Sequence, residues 1–545
     1  MKDPDEIRES VLLKYHRFIL HMRQRYKDNM LTLCFGAGVS NYWNCPTWDV
    51  LVERISQNGE FKGIAIDKEI KKQSVTSKAQ ILFEKLKSNN PDLCEDEVTR
   101  KWIKIIHDNL YDQKSVTYYD HPYLNQFLNL IINSPVTINY NFDDYIEQLV
   151  YNATSNNNNI ENNTNIKHIR KPRVYETVWL PSTQFKRKKG VIYHPNGYIP
   201  KMLHEGYSEH FVFTEKSFAD QLLDSMYGHY NTLFSIYSRY TTLFIGLSLS
   251  DNTLKHLLHH NAKLNPGNYH YYIYYVGDND DITDEEKYAI QSMYFNVYNL
   301  LVMFMTNEEI SALGYLINKK HDISDLSLKL GLPNKYRYYI SGIPGSGKTT
   351  SLNYFKMLSV HTEWPEKKIA NLDVPHDKLT PDEVKEVDEW IDRQFKIKNY
   401  AIYNDQSNIQ IIDRSLLDPL AFKNKDDERS ERGRQLKTIF DNIKISDGHL
   451  ILLDANPLVT NKRLLKRNSE QRDNESTYRQ SKQFREIFSV GEKDTNYIDT
   501  SFLTKEDVVK QIGEIMFFHP YVPIDFNKIL DKYINQDSKT TYLSL

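Results

Sequence analysis

Two glycine-rich segments have residue types and spacing suited to holding phosphate. Gly342-Ile343-Pro344-Gly345-Ser346-Gly347-Lys348-Thr349 follows the apolar run Tyr338 to Ser341 and leads into a helical stretch through Lys356. Gly342, Gly345 and Gly347 let consecutive backbone N–H groups curl around phosphate oxygens. Lys348 adds a point charge, and Thr349 supplies a hydroxyl for magnesium. Strand, loop and helix in this order is the context that the pattern requires. The second segment, Gly36-Ala37-Gly38-Val39-Ser40, follows the apolar run Leu31 to Phe35. Its glycines admit close backbone approach to a pyrophosphate, although the third glycine of a dinucleotide fingerprint is missing. Asn141 and Asp143 stand after a further apolar run and suit either chemistry or the capping of a helix.

The elements that must position these residues alternate. Residues 4–28 place Ile7, Val11, Leu12, Phe18, Ile19 and Met22 between charges, the spacing of an amphipathic helix. Strands are expected at Leu31 to Phe35, Pro135 to Tyr140, Gly190 to Tyr193, Phe211 to Phe213, Thr241 to Ile245 and Tyr271 to Val276, with helices or loops between. That alternation predicts an α/β fold with a doubly wound sheet. Residues 154–165 are mostly asparagine and serine and read as a solvated insertion. Gly331, Pro333 and Asn334 break the pattern before a new strand. The expected division is therefore a first domain over 1–325, a linker over 326–336, a second domain over 337–520 and a tail over 521–545.

Composition narrows the class. At 545 residues the chain exceeds one hydrophobic core, and 40% hydrophobic with 26% charged residues is ordinary for a folded protein. The 69 basic and 72 acidic side chains leave a net charge of -3, so no basic field supports nucleic acid as a partner. No run approaches the roughly 20 apolar residues of a membrane span, and the charged opening residues lack a signal-peptide core. A cytoplasmic protein is expected. Three scattered cysteines (Cys34, Cys45, Cys94) fit a reducing compartment and cannot form a four-cysteine zinc site.

The first half resembles sirtuin-like domains. Gly36 to Ser40, Thr137 to Glu147, Tyr193 to Pro200 and Phe244 to Asp251 follow one another in that family's order. The resemblance implies a Rossmann-like parallel sheet that binds NAD through Gly36, Ala37, Gly38, Ser40, Asn196, Gly246, Ser248 and Asp251. It also implies that Asn141 holds the attacking water and that Asp143 helps position the ribose. In the family a catalytic histidine immediately precedes a glycine. Here Asn196 precedes Gly197, and His194 lies two residues earlier. Residues i and i+2 of a strand share a face, so His194 is expected to reach the same cleft as general base.

The second half resembles P-loop NTPases of the thymidylate and deoxynucleoside kinase kind. Asp413-Arg414-Ser415 after Ile409 to Ile412 matches the family's Asp-Arg segment. Arg463 and Arg467, four apart on one helical face, match its lid arginines. A solvated helix face is an equal reading of that pair. Asp373 is the candidate acidic residue for a nucleoside substrate, after a strand expected to end near Leu372. The expected ligand is ATP or another nucleotide with magnesium on Thr349.

Together the resemblances imply an NAD+ glycohydrolase of anti-phage, abortive-infection type, without zinc. A phage-derived trigger or altered nucleotide pool would be read by the second domain, and a homo-oligomer is expected. A nucleotide kinase regulated by NAD or ADP-ribose, and a non-catalytic nucleotide-binding scaffold, are the alternatives.

Overall fold

The computed structural model describes residues 3–61, 68–111, 121–156, 173–181, 184–209, 211–223, 228–249, 251–277, 280–374, 378–440, 443–466 and 473–535. Residue contacts divide the chain into two compact units, residues 1–265 with 269–330, and residues 331–545 with 266–268. Most of the asparagine-rich insertion lies outside the described residues.

Among the described residues of the N-terminal unit, seven parallel strands form one sheet. They are β1 (Leu31–Phe35), β2 (Val136–Asn139), β3 (Glu176–Val178), β4 (Val191–Tyr193), β5 (Thr241–Ile245), β6 (His270–Tyr275) and β7 (Leu300–Met305), in the order β3-β4-β2-β1-β5-β6-β7. From β1 the chain fills one side of the sheet, then crosses to β5 on the other. The crevice outside the carboxyl ends of β1 and β5 is thus the topological switch point, where open α/β sheets take their ligands. β1, β2 and β5 are buried along their full length, the pattern of strands covered on both faces.

The N-terminal helix spans Pro4–Lys27, begun by the Asp3 carboxylate accepting from the Asp5 amide and by Pro4 in the first turn. It buries Val11, Leu12, Phe18, Ile19 and Met22. Tyr15 joins it to β7, its hydroxyl donating to the Phe304 carbonyl at 3.1 Å and accepting from the Phe304 amide at 2.9 Å.

Three departures from the sequence expectation have local causes. Phe211 to Phe213 is a turn: Phe213 packs edge-on against Trp48 and Phe142, and its amide donates to Ser217 Oγ at the start of helix Glu215–Leu223. Ser324–Lys329 is helical, so the connection between the units is shorter than 326–336. The expected tail instead contributes helix Phe526–Ile534, which buries Phe526, Leu530 and Tyr533 in the second core.

Among its described residues the C-terminal unit holds five parallel strands, β8 (Tyr336–Gly342), β9 (Ser359–His361), β10 (Ile409–Asp413), β11 (His449–Asp454) and β12 (Tyr497–Asp499), in the order β12-β11-β8-β10-β9. Its first strand is flanked by β10 and β11, which makes the carboxyl end of β8 a second switch point. Among the described residues no helix is long and apolar enough to cross a membrane.

The two turns at the N-terminal switch point touch through backbone. Gly38 N donates to Gly246 O at 3.0 Å, and Gly246 has φ +69°. A Cβ on Gly246 would lie 2.7 Å from both Val39 N and Val39 Cγ2. Gly246→Ala is therefore expected to destabilise the unit by about 1–3 kcal/mol. Chemical unfolding of this variant beside Gly59→Ala, where a Cβ meets nothing within 4 Å, checks it.

Candidate functional site

The N-terminal switch point opens into a cleft of about 1050 Å³. Ala37 and Gly38 line it from the β1 turn, Gly246, Leu247, Ser248 and Asp251 from the β5 turn, and Asn196 from the turn after β4. Gly36 and Ser40 lie beneath that surface and hold the turn. Gly36 N donates to the Ile245 carbonyl at 3.1 Å, and Ser40 lines a small adjoining cavity with Cys45, Asn141 and Asp143.

Asn141 and Asp143 meet through Ser40. Asn141 Nδ2 donates to the Gly36 carbonyl at 3.0 Å and to Ser40 Oγ at 2.9 Å, and Ser40 Oγ donates to Asp143 Oδ1 at 3.1 Å. The same carboxylate oxygen accepts from the Tyr145 amide at 3.1 Å, at the start of helix Tyr145–Asn156. Asp143 thus takes the capping role that its context offers, while Asn141 ties the β2 turn to the β1 turn. Burial pushes the Asp143 carboxyl up to about 6, against the bonds from Tyr145 and Ser40.

His194 does not face the cleft beside Asn196. β4 ends at Tyr193, so strand alternation no longer governs the next residues. The ring is fully buried, with Nδ1 2.9 Å from the Asn141 carbonyl and Nε2 2.8 Å from Glu147 Oε1. A carbonyl only accepts, so Nδ1 carries a proton and Nε2 shares one with the carboxylate. Burial alone would lower this imidazole, but Glu147 and the Asn141 carbonyl together hold it above its ordinary value. With both nitrogens engaged, His194 orients the Asn141 backbone and is not a general base in this arrangement.

Asn196 takes the cleft position instead. It is 2% exposed, its Nδ2 reaches the Tyr140 carbonyl only at 3.5 Å, and its Oδ1 is buried without a partner. Asp251 caps helix Asn252–Leu264, Oδ1 accepting from Thr253 and Leu254 amides at 2.7 and 3.2 Å. Tyr42, His121, Tyr123 and Glu215 also line the cleft. His121 is invisible to motif reading because its work is structural. Nε2 donates to the Val39 carbonyl at 3.1 Å, Nδ1 accepts from the Tyr123 and Leu124 amides, and burial lowers it to about 4.

In the C-terminal unit the loop Gly342 to Thr349 joins β8 to helix Lys348–Leu352. Gly342, Gly345 and Gly347 have φ of +130°, +83° and +103°. A Cβ on Gly342 would sit 1.9 Å from the Leu453 carbonyl oxygen, so glycine is required there. Lys348 Nζ donates to the Gly342 and Ile343 carbonyls at 2.8 Å each, and burial pulls it down to about 7. Thr349 Oγ1 donates to Asp413 Oδ2 at 2.9 Å, while Asp413 Oδ1 is buried and unpartnered. A hydroxyl beside an incompletely satisfied carboxylate fits magnesium, which these two residues would hold. Among the described residues no group of three or more His, Cys, Asp or Glu is arranged to hold a metal by itself.

Arg414 has φ +71° and donates from Nε to Glu363 Oε1 at 2.6 Å and from Nη1 to Asp418 Oδ2 at 3.4 Å. Lys398 Nζ, on helix Pro381–Asn404, donates to the Asp413 and Arg414 carbonyls, and burial lowers it to about 8. Glu363, Lys398 and Asp418 carry no motif and become legible only when β9, β10 and the long helix converge.

Arg463 is not a lid residue in this arrangement. It donates to the Gly345 carbonyl at 3.2 Å and to Thr500 Oγ1 and O at 2.9 and 2.7 Å, which fixes the loop from behind. Arg467 lies outside the described residues. Asp373 ends a 3-10 turn, Ala370–Asp373, and follows no strand; the strand in this region is β9, and Glu363 is the carboxylate beyond it.

Residues 135–300 match the family of SIR2-like domains. The matched segment carries β2 to β6, Asn141, Asp143, His194, Asn196 and the β5 turn. It supports the sirtuin-like reading of the N-terminal unit and ties it to NAD-related chemistry. No curated protein matches the chain in sequence. Among solved structures, the Deinococcus radiodurans tunicamycin resistance protein is similar at 21% identity over 35% of this chain and 99% of that one, with a TM-score of 0.24, which is too low to bear on the fold.

The raised Asp143 carboxyl makes stability pH-dependent. Its folded value, about 6, exceeds the ordinary 3.8, so its stabilising protonated state is fully present below 3.8 and lost as pH rises through 6. The span corresponds to about 3 kcal/mol. Asp143→Asn carries no charge to bury and is expected to be more stable than wild type at pH 8, by about 1–3 kcal/mol, with the difference fading toward pH 4. Urea unfolding at both pH values measures it.

Proposed function

We propose that the N-terminal unit hydrolyses NAD+ to nicotinamide and ADP-ribose, as the effector of an anti-phage, abortive-infection type of defence, and that nucleotide binding by the C-terminal unit controls it. The observation that carries the reading is the roughly 1050 Å³ cleft between two glycine turns at a switch point, within a unit matched to SIR2-like domains. NAD+ already carries a good leaving group. Its C1′–N bond breaks through an oxocarbenium-like state, so the protein needs to bind, orient and admit one water more than it needs a strong base. Asn141 positions the β1 turn and the groups around it. His194 and Glu147 act through the Asn141 backbone.

Incubation of the purified chain with NAD+, with and without ATP, magnesium and a nucleotide panel, tests this by nicotinamide release. Asn141→Ala is expected to lower release by about 100-fold or more. A wild type that binds NAD+ without releasing nicotinamide overturns the hydrolase, and an Asn141→Ala rate equal to wild type overturns the role of Asn141 in it.

A second reading, phosphoryl transfer by the C-terminal unit, is favoured by the Glu363–Arg414 pair beside Asp413 and Lys348. Glu363 would serve as the base for a hydroxyl acceptor. Transfer of labelled phosphate from ATP to nucleosides or nucleoside monophosphates, lost in Glu363→Gln, tests it.

Polyphosphate binding of either kind has a proton signature. Anionic charge beside Lys348 would pull its value up from about 7, so binding at pH 8 is expected to take up a substantial fraction of one proton. Calorimetry in buffers of different ionisation enthalpy reads that number, and Lys348→Met is expected to remove it.

A further inference from the structure

The ionisable groups around the N-terminal cleft are largely committed to structure. Asp251 holds the first amides of a helix, and His121 has both ring nitrogens on backbone. Glu215 Oε2 accepts from Thr76 and Ser77 hydroxyls at 2.5 and 3.1 Å at the exposed rim, and Asp49 is exposed and 3.9 Å from Lys78. Behind the wall, His194 is sealed by Glu147.

The Asn196 side chain differs from all of these. Its backbone carbonyl is occupied by the Val212 amide at 2.9 Å, and the Gly197 turn at φ +113° fixes the residue in the wall. The residue lines the cleft, and its Oδ1 is buried with no hydrogen-bond donor. A buried acceptor carries a desolvation cost that a bound donor relieves.

We propose that Asn196 Oδ1 holds the attacking water at the scissile glycosidic bond, an assignment that rests on the hydrolase reading of this unit. As the C1′–N bond breaks, its electron pair moves to the pyridinium nitrogen and leaves as neutral nicotinamide. The water oxygen bonds to C1′, and the resulting oxonium, acidic only after that bond exists, releases its proton to solvent. An uncharged amide oxygen is sufficient for this order of events, because it orients water without needing to remove its proton first. The residue thus works as an acceptor where a histidine would work as a base.

The test uses the full chain and its Asn196→Ala, Asn196→Asp and Asn196→His variants, with nicotinamide release, NAD+ affinity by calorimetry and thermal unfolding measured for each. Asn196→Ala is expected to lose roughly 100-fold in kcat while keeping NAD+ affinity within about threefold. Asn196→Asp, close in size and still an acceptor, retains kcat within about tenfold. The ratio of Asn196→His to wild-type rate rises with pH through the imidazole range. The neighbours His194, Tyr140 and Tyr198, and the cleft groups Asp49, His121, Glu215 and Asp251, are common to both proteins and cancel in that ratio. An Asn196→Ala protein with wild-type kcat, or one that loses affinity instead of kcat, overturns the assignment alone. If Asn196→Ala does not fold, a folded, NAD+-binding Asn196→Asp protein without turnover overturns it. A wild type that binds NAD+ without turnover overturns the hydrolase reading and the assignment with it.

Discussion

The N-terminal site depends on the contact of two backbones. The turns after β1 and β5 approach until Gly36 N reaches the Ile245 carbonyl and Gly38 N the Gly246 carbonyl, at 3.1 and 3.0 Å. Side chains would prevent this, since a Cβ at Gly36 would meet the Gly246 carbonyl oxygen at 2.6 Å. Once the turns are locked, a sequence of dependent contacts follows. The Gly36 carbonyl and Ser40 hydroxyl receive the Asn141 amide, and Ser40 passes a hydrogen bond to Asp143. Asp143 opens the helix that carries Glu147, and Glu147 fixes the imidazole that in turn bonds the Asn141 carbonyl. The loop of contacts closes on itself, so a change at any member is felt at the others.

That closure explains which parts of the site were legible in the sequence. Glycines, the Asn-x-Asp step and the lysine-threonine pair announce themselves because local geometry demands those residue types. The buried strands β1, β2, β5 and β6 are equally readable as apolar runs. β7 is not among the expected strands, although its Leu300–Met305 run is continuous and buried. The three-residue strands β3 and β9 are not readable, because they sit at sheet edges, are only half-buried, and contain polar residues. The role of His194 was opaque for a different reason. Parity along a strand puts it beside Asn196, but parity ends with the strand at Tyr193. Its partner Glu147 lies on a helix that no spacing rule connects to it. The same holds for Arg463, whose helical position gives no hint that its partners are the Gly345 carbonyl and Thr500.

The C-terminal unit applies the same topological device with different electrostatics. Around its first switch-point turn, Lys348, Lys398 and Arg414 stand against Glu363, Asp413 and Asp418, a set of three cations and three anions. Burial works against every one of these charges, and partners restore them unequally. Arg414 is held above its ordinary range by Glu363 and Asp418, whereas Lys348 and Lys398 fall below theirs. The left-handed backbone at Arg414 is tolerated because Lys398 holds the carbonyls on either side of the Asp413–Arg414 step.

The two arrangements favour different ligands. A cluster of balanced buried charges would change its protonation on binding a polyphosphate or a divalent cation, so the binding proposed there would be coupled to proton movement. The N-terminal cleft is lined by two glycine turns and by Asn196, whose buried amide oxygen has no partner, while its nearby charges cap a helix, sit at the exposed rim or are sealed behind the wall. On the hydrolase reading proposed above, such a surface would orient a ligand that carries its own positive ring and its own leaving group without first neutralising either. Two parallel sheets thus diverge in chemistry through what surrounds the first turn: structurally committed polar groups and one unpartnered amide oxygen around one, and a cluster of paired buried charges around the other.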